Sequence, residues 1–163
     1  MKTLIIMRGL SGSGKTTFVE LLRKYRHKLV HTSADFAHVT PEGDYVFDPS
    51  KLGEGHAACF RETISALQEG AECVVVDNTA SCRFELAPYI LAGQAFRYRI
   101  VIVHTMCAPH LAHARNTHGV PLRNVQAMAA RWEDPLPFWP EEFQVVTTTD
   151  DRDAETFIEQ HIV

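Results

Sequence analysis

The sequence lacks any long apolar run, and no stretch approaches the roughly 18 residues that a membrane-spanning helix needs. Its first apolar stretch, residues 4–7, is too short for the core of a secretory signal peptide and leads directly into a glycine-rich segment. Cysteine is also scarce, with four residues among 163 and no C-x-x-C pair. This usage favours free, buried thiols over disulfides or a zinc site. We therefore expect a cytoplasmic protein.

The sequence also has no excess of positively charged residues. Sixteen lysines and arginines stand against 20 aspartates and glutamates, which gives a formal net charge of -4. This balance argues against a strongly basic nucleic-acid-binding domain. It leaves open a nucleic-acid substrate held in a local groove of arginine and histidine. The 163 residues, 45% of them hydrophobic, predict one globular domain over residues 1–163.

The most specific motif is a phosphate-binding loop near the start of the chain. Residues 9–16 read GLSGSGKT and match G-x-x-x-x-G-K-[ST] at every fixed position. An apolar strand over residues 3–7 and an amphipathic helix over residues 17–24 flank it in the required order. Backbone N–H groups of such a loop, and of the helix that follows, bind phosphate. The predicted nucleotide-binding residues are Gly9, Ser11, Gly12, Ser13, Gly14, Lys15, Thr16, Thr17 and Arg115.

Segments typical of strands and helices alternate along the rest of the chain. Further strands are predicted over residues 28–32, 73–77, 98–104 and 143–147. Helices are predicted over residues 52–69, 83–93, 109–115, 122–132 and 154–160, with Pro88 starting or kinking the second of them. This alternation predicts an α/β protein with the P-loop NTPase fold. We expect a five-stranded, mainly parallel sheet flanked by helices, of adenylate-kinase-like architecture.

Two aspartates follow predicted strands at the edge where parallel sheets bind ligands. Asp77 ends an apolar strand, where a carboxylate typically holds Mg²⁺ directly or through water, together with the Thr16 hydroxyl. Asp35 follows the second strand and is the candidate general base for an acceptor hydroxyl. The alternative for both aspartates is a cap at the start of a helix, where Asp is favoured, and for Asp77 a turn residue as well.

Cationic side chains complete the predicted site. Lys15 should reach the β- and γ-phosphates of a bound nucleotide. Arg115 lies in residues 109–121, which we expect to form a short lid, and its guanidinium would neutralise charge on the transferred phosphoryl group. A solvated surface position is the alternative for Arg115, and Arg123 and Arg131 are weaker candidates for the same role or for holding the acceptor. The predicted catalytic residues are Asp35, Lys15 and Arg115.

Two motifs are absent, and their absence narrows the chemistry. Asn78 follows Asp77, where ATPases that do mechanical work commonly carry a glutamate that polarises water. No N-K-x-D motif follows the P-loop, which disfavours a GTPase, although nothing else distinguishes ATP from GTP.

Histidines cluster further along the chain, at His104, His110, His113 and His118, with Cys107 among them. Their spacing matches no standard zinc site, so solvated or phosphate-facing histidines are favoured.

Four segments together resemble the polynucleotide 5′-kinase type of P-loop kinase and its small ATP-binding relatives. They are residues 9–17, 33–35, 76–79 and 115–121. Residues 45–49 and 87–89 look closer to the smaller relatives, which include kinase-like domains attached to larger eukaryotic proteins. The resemblance covers roughly residues 1–133.

The resemblance implies roles for two residues and shows two departures. It implies that Asp35 activates the 5′-hydroxyl of a nucleic acid and that Arg115 is a lid arginine on the phosphates of ATP. The phage-type enzymes carry a second lid arginine, where this shorter lid offers His118. They also place an arginine after the base to hold the substrate's phosphate, and the comparable residue here is His38.

These observations predict an ATP-dependent kinase that uses Mg²⁺ and transfers the γ-phosphoryl group to a hydroxyl. The favoured acceptor, and therefore the expected partner, is the 5′-hydroxyl end of DNA or RNA. A nucleoside or other small alcohol is the alternative acceptor, which the acidic net charge favours. A nucleotide-binding module without transfer activity is the alternative class, and Asp35 counts against it because such a module needs no acceptor-facing base.

Overall fold

The centre of the fold is a parallel sheet. In the computed structural model, which describes residues 1–147 and 151–163, its strands are β1 (Thr3–Arg8), β2 (Leu29–Thr32), β3 (Cys73–Asp77), β4 (Arg99–Thr105) and β5 (Glu142–Val145). Their order is β2-β3-β1-β4-β5, and every neighbouring pair is parallel. The predicted five-stranded α/β architecture is confirmed, with strand bounds that differ from the predicted ones by at most two residues.

Helices cover both faces of this sheet. Those in the described residues are α1 (Lys15–Tyr25), α2 (Leu52–Glu69), α3 (Arg83–Ala95), α4 (Pro109–Arg115), α5 (Leu122–Ala130) and α6 (Arg152–His161). Two short 3-10 helices, Ala34–His38 and Pro49–Lys51, lie between β2 and α2. None of the helices in the described part of the chain is both long and apolar enough to cross a membrane.

Local chemistry explains where the helices begin and end. The bounds of α2 and α4 are the predicted ones, and Gly70 ends α2 in the left-handed region, with φ of 79°. Pro88 does not start α3, because the helix begins earlier, where the backbone N–H of Cys82 donates to the Glu85 carboxylate at 2.9 Å. α5 ends at Ala130 rather than at residue 132.

The two faces of β1 supply two hydrophobic cores. Successive strand side chains point to opposite faces, so Ile5 and Met7 join one core while Leu4 and Ile6 join the other. The first core includes side chains of α1 and α6, and the second includes side chains of α2 and α3. All four of these β1 side chains are at most 1% exposed. The strand that leads into the P-loop is therefore enclosed by packing on both sides.

The cysteines are unpaired thiols. Among the described residues, which include all four, Cys59 and Cys73 are buried as expected, whereas Cys82 and Cys107 are partly exposed. Burial raises the pKa of Cys73 to about 11. That thiol is therefore protonated and unreactive at neutral pH.

A fully buried arginine fixes the end of β1. The guanidinium of Arg8 pairs with Glu142 at 2.6 Å and lies 4.3 Å from the ring centroid of Trp132. It also donates to the backbone carbonyls of Ala80, Ser81 and Glu133. These contacts connect β1 to β5, to the loop after β3 and to the segment after α5. The residue that precedes the P-loop is thereby anchored from several directions.

Glu142, the partner of Arg8, should make the stability of the fold depend on pH in the acidic range. Burial alone would raise the pKa of Glu142, but the hydrogen bonds from His104 and Arg8, and their charges, hold it below its ordinary value of 4.5. The ionised Glu142 therefore contributes fully to the free energy of unfolding at pH values above its pKa in the unfolded chain. This contribution is lost as the pH falls through its pKa in the folded protein. We expect the free energy of unfolding, measured by urea titration, to fall between about pH 5 and about pH 3. Glu142→Gln should weaken this dependence, and an undiminished slope in that variant would mean that other groups cause it.

Candidate active site

The P-loop, residues 9–16, requires glycine for two reasons. Gly12 and Gly14 have φ of +86° and +98°, in the left-handed region that favours glycine. A Cβ at Gly12 would collide with the carbonyl oxygen of Ala112 in α4, and one at Gly14 would collide with the side chain of Thr147. The loop is therefore held directly against α4 and the segment after β5.

A cleft of about 210 Å³ lies over this loop. Its walls include most of the predicted nucleotide-binding residues, namely Ser11, Gly12, Gly14, Lys15, Thr16, Thr17 and Arg115. Of the predicted set, which the structure describes in full, Gly9 and Ser13 do not line the cleft. Ser13 is fully buried, and its hydroxyl lies 2.6 Å from that of Thr105. Its side chain therefore supports the loop, as does its backbone, whose N–H donates to the Leu10 carbonyl at 2.9 Å and whose carbonyl accepts from the Thr147 hydroxyl at 2.7 Å.

Lys15 is bonded to its own loop. Its Nζ donates to the carbonyl oxygens of Gly9 and Leu10 at 3.0 and 3.2 Å. Burial lowers the pKa of Lys15, while the charges of Asp77 and Asp35 oppose that shift. The ammonium is thus close to two carboxylates, and a phosphate could replace its carbonyl contacts.

Asp77, at the end of β3, is only 5% exposed. Thr16 Oγ1 donates to Asp77 Oδ2 at 3.1 Å, and His31 Nε2 lies 3.2 Å from the same oxygen. Burial would raise the pKa of Asp77, but the hydrogen bond from His31, the charge of Lys15 and the Thr16 hydroxyl hold it below the ordinary value. The carboxylate is therefore ionised at neutral pH. Together with Thr16 it offers the oxygen ligands that Mg²⁺ prefers.

His31, in β2, is a site residue that the sequence analysis misses. Arg23 Nη2 lies 3.4 Å from His31 Nδ1. Because a guanidinium can only donate, Nδ1 accepts, and the ring proton is on Nε2, which donates to Asp77. The arrangement orients the Asp77 carboxylate. The available signal was a polar residue inside an apolar strand, opposite Val75 in the neighbouring β3.

Asp35 lies in the 3-10 helix after β2 and lines both the phosphate cleft and a second cavity of about 300 Å³. Its side chain is 55% exposed, and His118 Nδ1 is 3.8 Å from its Oδ2. Ser33 is the N-cap of this helix and accepts a hydrogen bond from the backbone N–H of Asp35. Cys82, not Asp77, holds the N-cap position of α3. The capping alternative is therefore wrong for both aspartates.

Tyr45 reaches Asp35 from the loop before α2, and sequence analysis assigns it no role. Its ring is stacked on that of His118, with centroids 3.9 Å apart and planes 10° apart. Burial, the Asp35 charge and a hydrogen bond to that carboxylate raise the pKa of Tyr45 to about 12. The phenol is thus protonated at neutral pH. The stacked pair connects the segment after α4 to the loop before α2 beside the candidate base.

Arg115, the last residue of α4, lines the phosphate cleft and donates from Nη1 to the Thr147 carbonyl at 2.9 Å. Asn116 lines the same cleft, and its Oδ1 accepts from the His118 N–H at 2.7 Å. Within the described residues its Nδ2 is buried without a partner. A buried donor left unpaired at the wall of a cleft that also holds Lys15 fits a site that binds anionic groups. The side chains present therefore fit nucleotide phosphates.

Two neighbouring cavities lie beyond the phosphate cleft, and Asp35 lines the first of them. The second cavity is lined by Tyr45 and Phe47 among others, and a third cavity of about 600 Å³ adjoins it. The two share Leu52, His56, Asn78, Glu85 and Arg131. Arg123 does not line either cavity. His38 is 3% exposed, and its Nδ1 accepts from the Asp48 N–H at 3.2 Å.

The histidine cluster of the sequence does not act as one group. His104 Nδ1 donates to Glu142 at 3.2 Å, and its ring is stacked on Trp132 with centroids 4.3 Å apart. His113 Nδ1 instead donates to the Val120 carbonyl at 3.1 Å. In residues 1–147 and 151–163 no group of three or more His, Cys, Asp or Glu side chains is arranged to hold a metal ion.

The sheet order, the P-loop and the carboxylate at the end of β3 define a P-loop protein of the kinase-like class. The chain belongs to the AAA_33 family of AAA domains, whose family model matches residues 4–135. It is 25% identical over 135 residues to NEDD4-binding protein 2 of Homo sapiens, covering 80% of this chain and 8% of that protein. It is 34% identical over 118 residues to 2′,3′-cyclic-nucleotide 3′-phosphodiesterase of Pongo abelii, covering 70% of this chain and 26% of that protein. The chain thus spans a minor part of both relatives.

Solved structures agree on the fold. A putative kinase from Chloroflexus aurantiacus J-10-fl has a TM-score of 0.71 at 15% identity, covering 99% of each chain. A gluconokinase from Sinorhizobium meliloti 1021 has a TM-score of 0.66 at 19% identity, covering 97% of this chain and 92% of the other. A chain of the Pnkp1/Rnl/Hen1 RNA repair complex has a TM-score of 0.63 at 16% identity, covering 80% and 43%. The predicted P-loop kinase-like fold is confirmed, and likeness at these identities shows the fold alone.

Proposed function

We propose that residues 1–163 form one ATP-dependent kinase domain that transfers the γ-phosphoryl group to the 5′-hydroxyl of DNA or RNA. One observation carries the proposal: Asp35 lines both the phosphate cleft and the cavity beyond it. A carboxylate at this junction can take the proton of a hydroxyl that enters from the second cavity while the phosphates occupy the first.

The nucleotide side of the reaction uses the P-loop and the start of α1. Backbone N–H groups of the loop and Lys15 would bind the β- and γ-phosphates of ATP. Thr16 and Asp77 would hold Mg²⁺, which when bound neutralises charge on the phosphate oxygens. Arg115, at the end of α4 in the lid of residues 109–121, would add a guanidinium to the transferred group.

The acceptor side uses Asp35 and its neighbours. Asp35 takes the proton of the acceptor hydroxyl as that oxygen forms a bond to the γ-phosphorus. The bond from the γ-phosphorus to its bridging oxygen breaks, and that oxygen leaves with ADP. Tyr45 lines the second cavity beside this carboxylate.

Asn78 supports the acceptor side rather than a hydrolytic water. Its Oδ1 accepts from the backbone N–H of Ala34 at 2.9 Å. Asn78 therefore connects the end of β3 to the helix that carries Asp35. A glutamate at this position would add a third negative charge to those of Asp35 and Asp77, so the absence of the hydrolytic residue is consistent with transfer to an alcohol.

The preference for a nucleic-acid acceptor rests on the second cavity and on the relatives. Tyr45 and Phe47 offer aromatic surface on which a nucleobase can stack. One relative is named for a cyclic nucleotide, and one similar structure belongs to an RNA repair complex. The fold is shared with a gluconokinase as well, so a small alcohol is the competing acceptor.

The test is transfer of labelled γ-phosphate from ATP to a panel of acceptors. The panel contains 5′-hydroxyl DNA and RNA oligonucleotides, nucleosides, gluconate and buffer alone. We expect label at the 5′ end of an oligonucleotide. Label confined to nucleosides or gluconate would support a kinase and contradict the nucleic-acid acceptor. A protein that binds ATP and labels nothing would be a binding module, and the proposed function would be wrong.

A further inference from the structure

Arg131 lines both the second and the third cavity. It follows α5, and among the described residues it is the one arginine or lysine that lines the second or the third cavity. Its Nε donates to Ser81 Oγ at 2.8 Å, which fixes the stem of the side chain. In the described part of the chain its two Nη nitrogens have no hydrogen-bond partner. A guanidinium with four unused N–H donors therefore belongs to a residue that lines both cavities.

The carboxylate that lines the same cavities forms no ion pair with this guanidinium. Glu85 lines the same two cavities, but its Oε2 accepts from the Cys82 N–H at 2.9 Å and from the Ser81 hydroxyl at 3.2 Å. No ion pair forms between Glu85 and Arg131 within the described residues. The charge of Arg131 is therefore available to a ligand, and an oxyanion is the group that a guanidinium fork recognises.

Ring-binding surface lies on both sides of Arg131. Tyr45 and Phe47 line the second cavity, next to Asp35. Phe60, Phe84 and Tyr89 line the third. Phe84 is 75% exposed, so an aromatic face stands uncovered at the third cavity. Going from Asp35 through the second cavity to the third, a ligand would meet aromatic rings, then the Arg131 guanidinium, then aromatic rings again.

We infer that Arg131 and Phe84 form a subsite for the second nucleotide of the acceptor. The guanidinium binds the phosphodiester that follows the 5′-nucleoside, and the second base stacks on Phe84 in the third cavity. This inference rests on the proposed function and deepens it, because it names the length of acceptor that the site recognises. With one cation along the path, recognition is concentrated in the first two nucleotides.

The test is equilibrium binding, measured by titration calorimetry, of adenosine, a 5′-hydroxyl adenosine dinucleotide and a 5′-hydroxyl hexanucleotide. The wild-type protein should bind the dinucleotide about 10-fold or more tightly than adenosine, since a base stack and a charge-assisted contact are added. The hexanucleotide should gain little beyond the dinucleotide. The logarithm of the hexanucleotide's binding constant should fall with the logarithm of the salt concentration at a slope near -0.7. This is the value for about one phosphate contact on a single strand.

Matched variants locate the two contacts. Arg131→Gln and Phe84→Ala should each weaken dinucleotide binding by about 5-fold or more and leave adenosine binding unchanged. Arg131→Lys should restore part of the loss, because it keeps the charge. Arg123→Gln on α5 and Phe138→Ala, where Phe138 is 79% exposed and lines neither cavity, should match the wild type. Circular dichroism of each variant establishes that the fold is retained.

Three results would overturn the subsite. They are equal wild-type affinity for adenosine and the dinucleotide, equal binding by Arg131→Gln and Arg123→Gln, and a loss in Lys15→Met that is absent in Arg131→Gln. The last would place the phosphate in the P-loop. Failure of the proposed function is distinguishable, because binding is measured without transfer. Tight dinucleotide binding without phosphorylation of any acceptor would support the subsite and contradict the kinase.

Discussion

Asp35→Asn is expected to reduce kcat for phosphoryl transfer by about 10²-fold or more, the range typical for loss of a general base. The substitution is nearly isosteric and keeps one of the two side-chain oxygens. The amide, however, cannot take the proton of the acceptor hydroxyl. The proposed contacts to ATP come from the P-loop, Lys15 and Arg115, so the Kd for ATP, measured by calorimetry, should change little.

Asp44→Asn is the matched control for this prediction. Asp44 is exposed in the loop before α2, close in sequence to Tyr45, and lines neither the phosphate cleft nor the second cavity. Its variant should turn over at the wild-type rate. Near-normal turnover in Asp35→Asn would remove Asp35 from the mechanism, and a loss shared by both variants would indicate a general effect of charge.

Arg8→Met is expected to lower the free energy of unfolding by about 3–5 kcal/mol, the range for breaking a buried ion pair by removing one partner. Methionine keeps much of the aliphatic stem but leaves Glu142, whose side chain is 11% exposed, without its arginine. The three backbone carbonyls that Arg8 serves also lose their donor. Urea titration at pH 7 measures the change.

Two further variants identify the cause of that loss. Arg61→Met removes an arginine that is 63% exposed and paired with Glu54, and should change stability by no more than about 0.5 kcal/mol. The double variant Arg8→Met, Glu142→Gln should be less destabilised than the two single effects added, because no uncompensated charge remains. A loss for Arg8→Met no larger than that for Arg61→Met would contradict the anchoring role.

The parts of the fold that sequence predicts are those with local signals. The P-loop is a contiguous motif, the valine run marks β3, and Gly70 ends α2 through its own backbone freedom. The convergence of Asp35 and Asp77 on the P-loop follows from the general rule that parallel strands place their carboxyl ends at one edge. These predictions needed no knowledge of which side chains meet across the sheet.

The contacts that the sequence does not reveal are between distant residues. Arg8 pairs with a glutamate 134 positions away, and His31 with an aspartate 46 positions away. Nothing next to Arg8 in the sequence distinguishes a buried arginine from a surface one. Tyr45 and His118 meet only because the segment after α4 folds over the loop before α2. Such pairs depend on tertiary packing, which periodicity and spacing do not encode.

The measurement that tests the central claim most directly is transfer of labelled γ-phosphate to two oligonucleotides of one sequence. One carries a 5′-hydroxyl, and the other is identical except for a 5′-phosphate. If the protein is a polynucleotide 5′-kinase, we expect label at the 5′ end of the first oligonucleotide and none on the second. Equal labelling of both would place the transferred group elsewhere, and label released only as free phosphate at equal rates would show hydrolysis; either result would contradict the account.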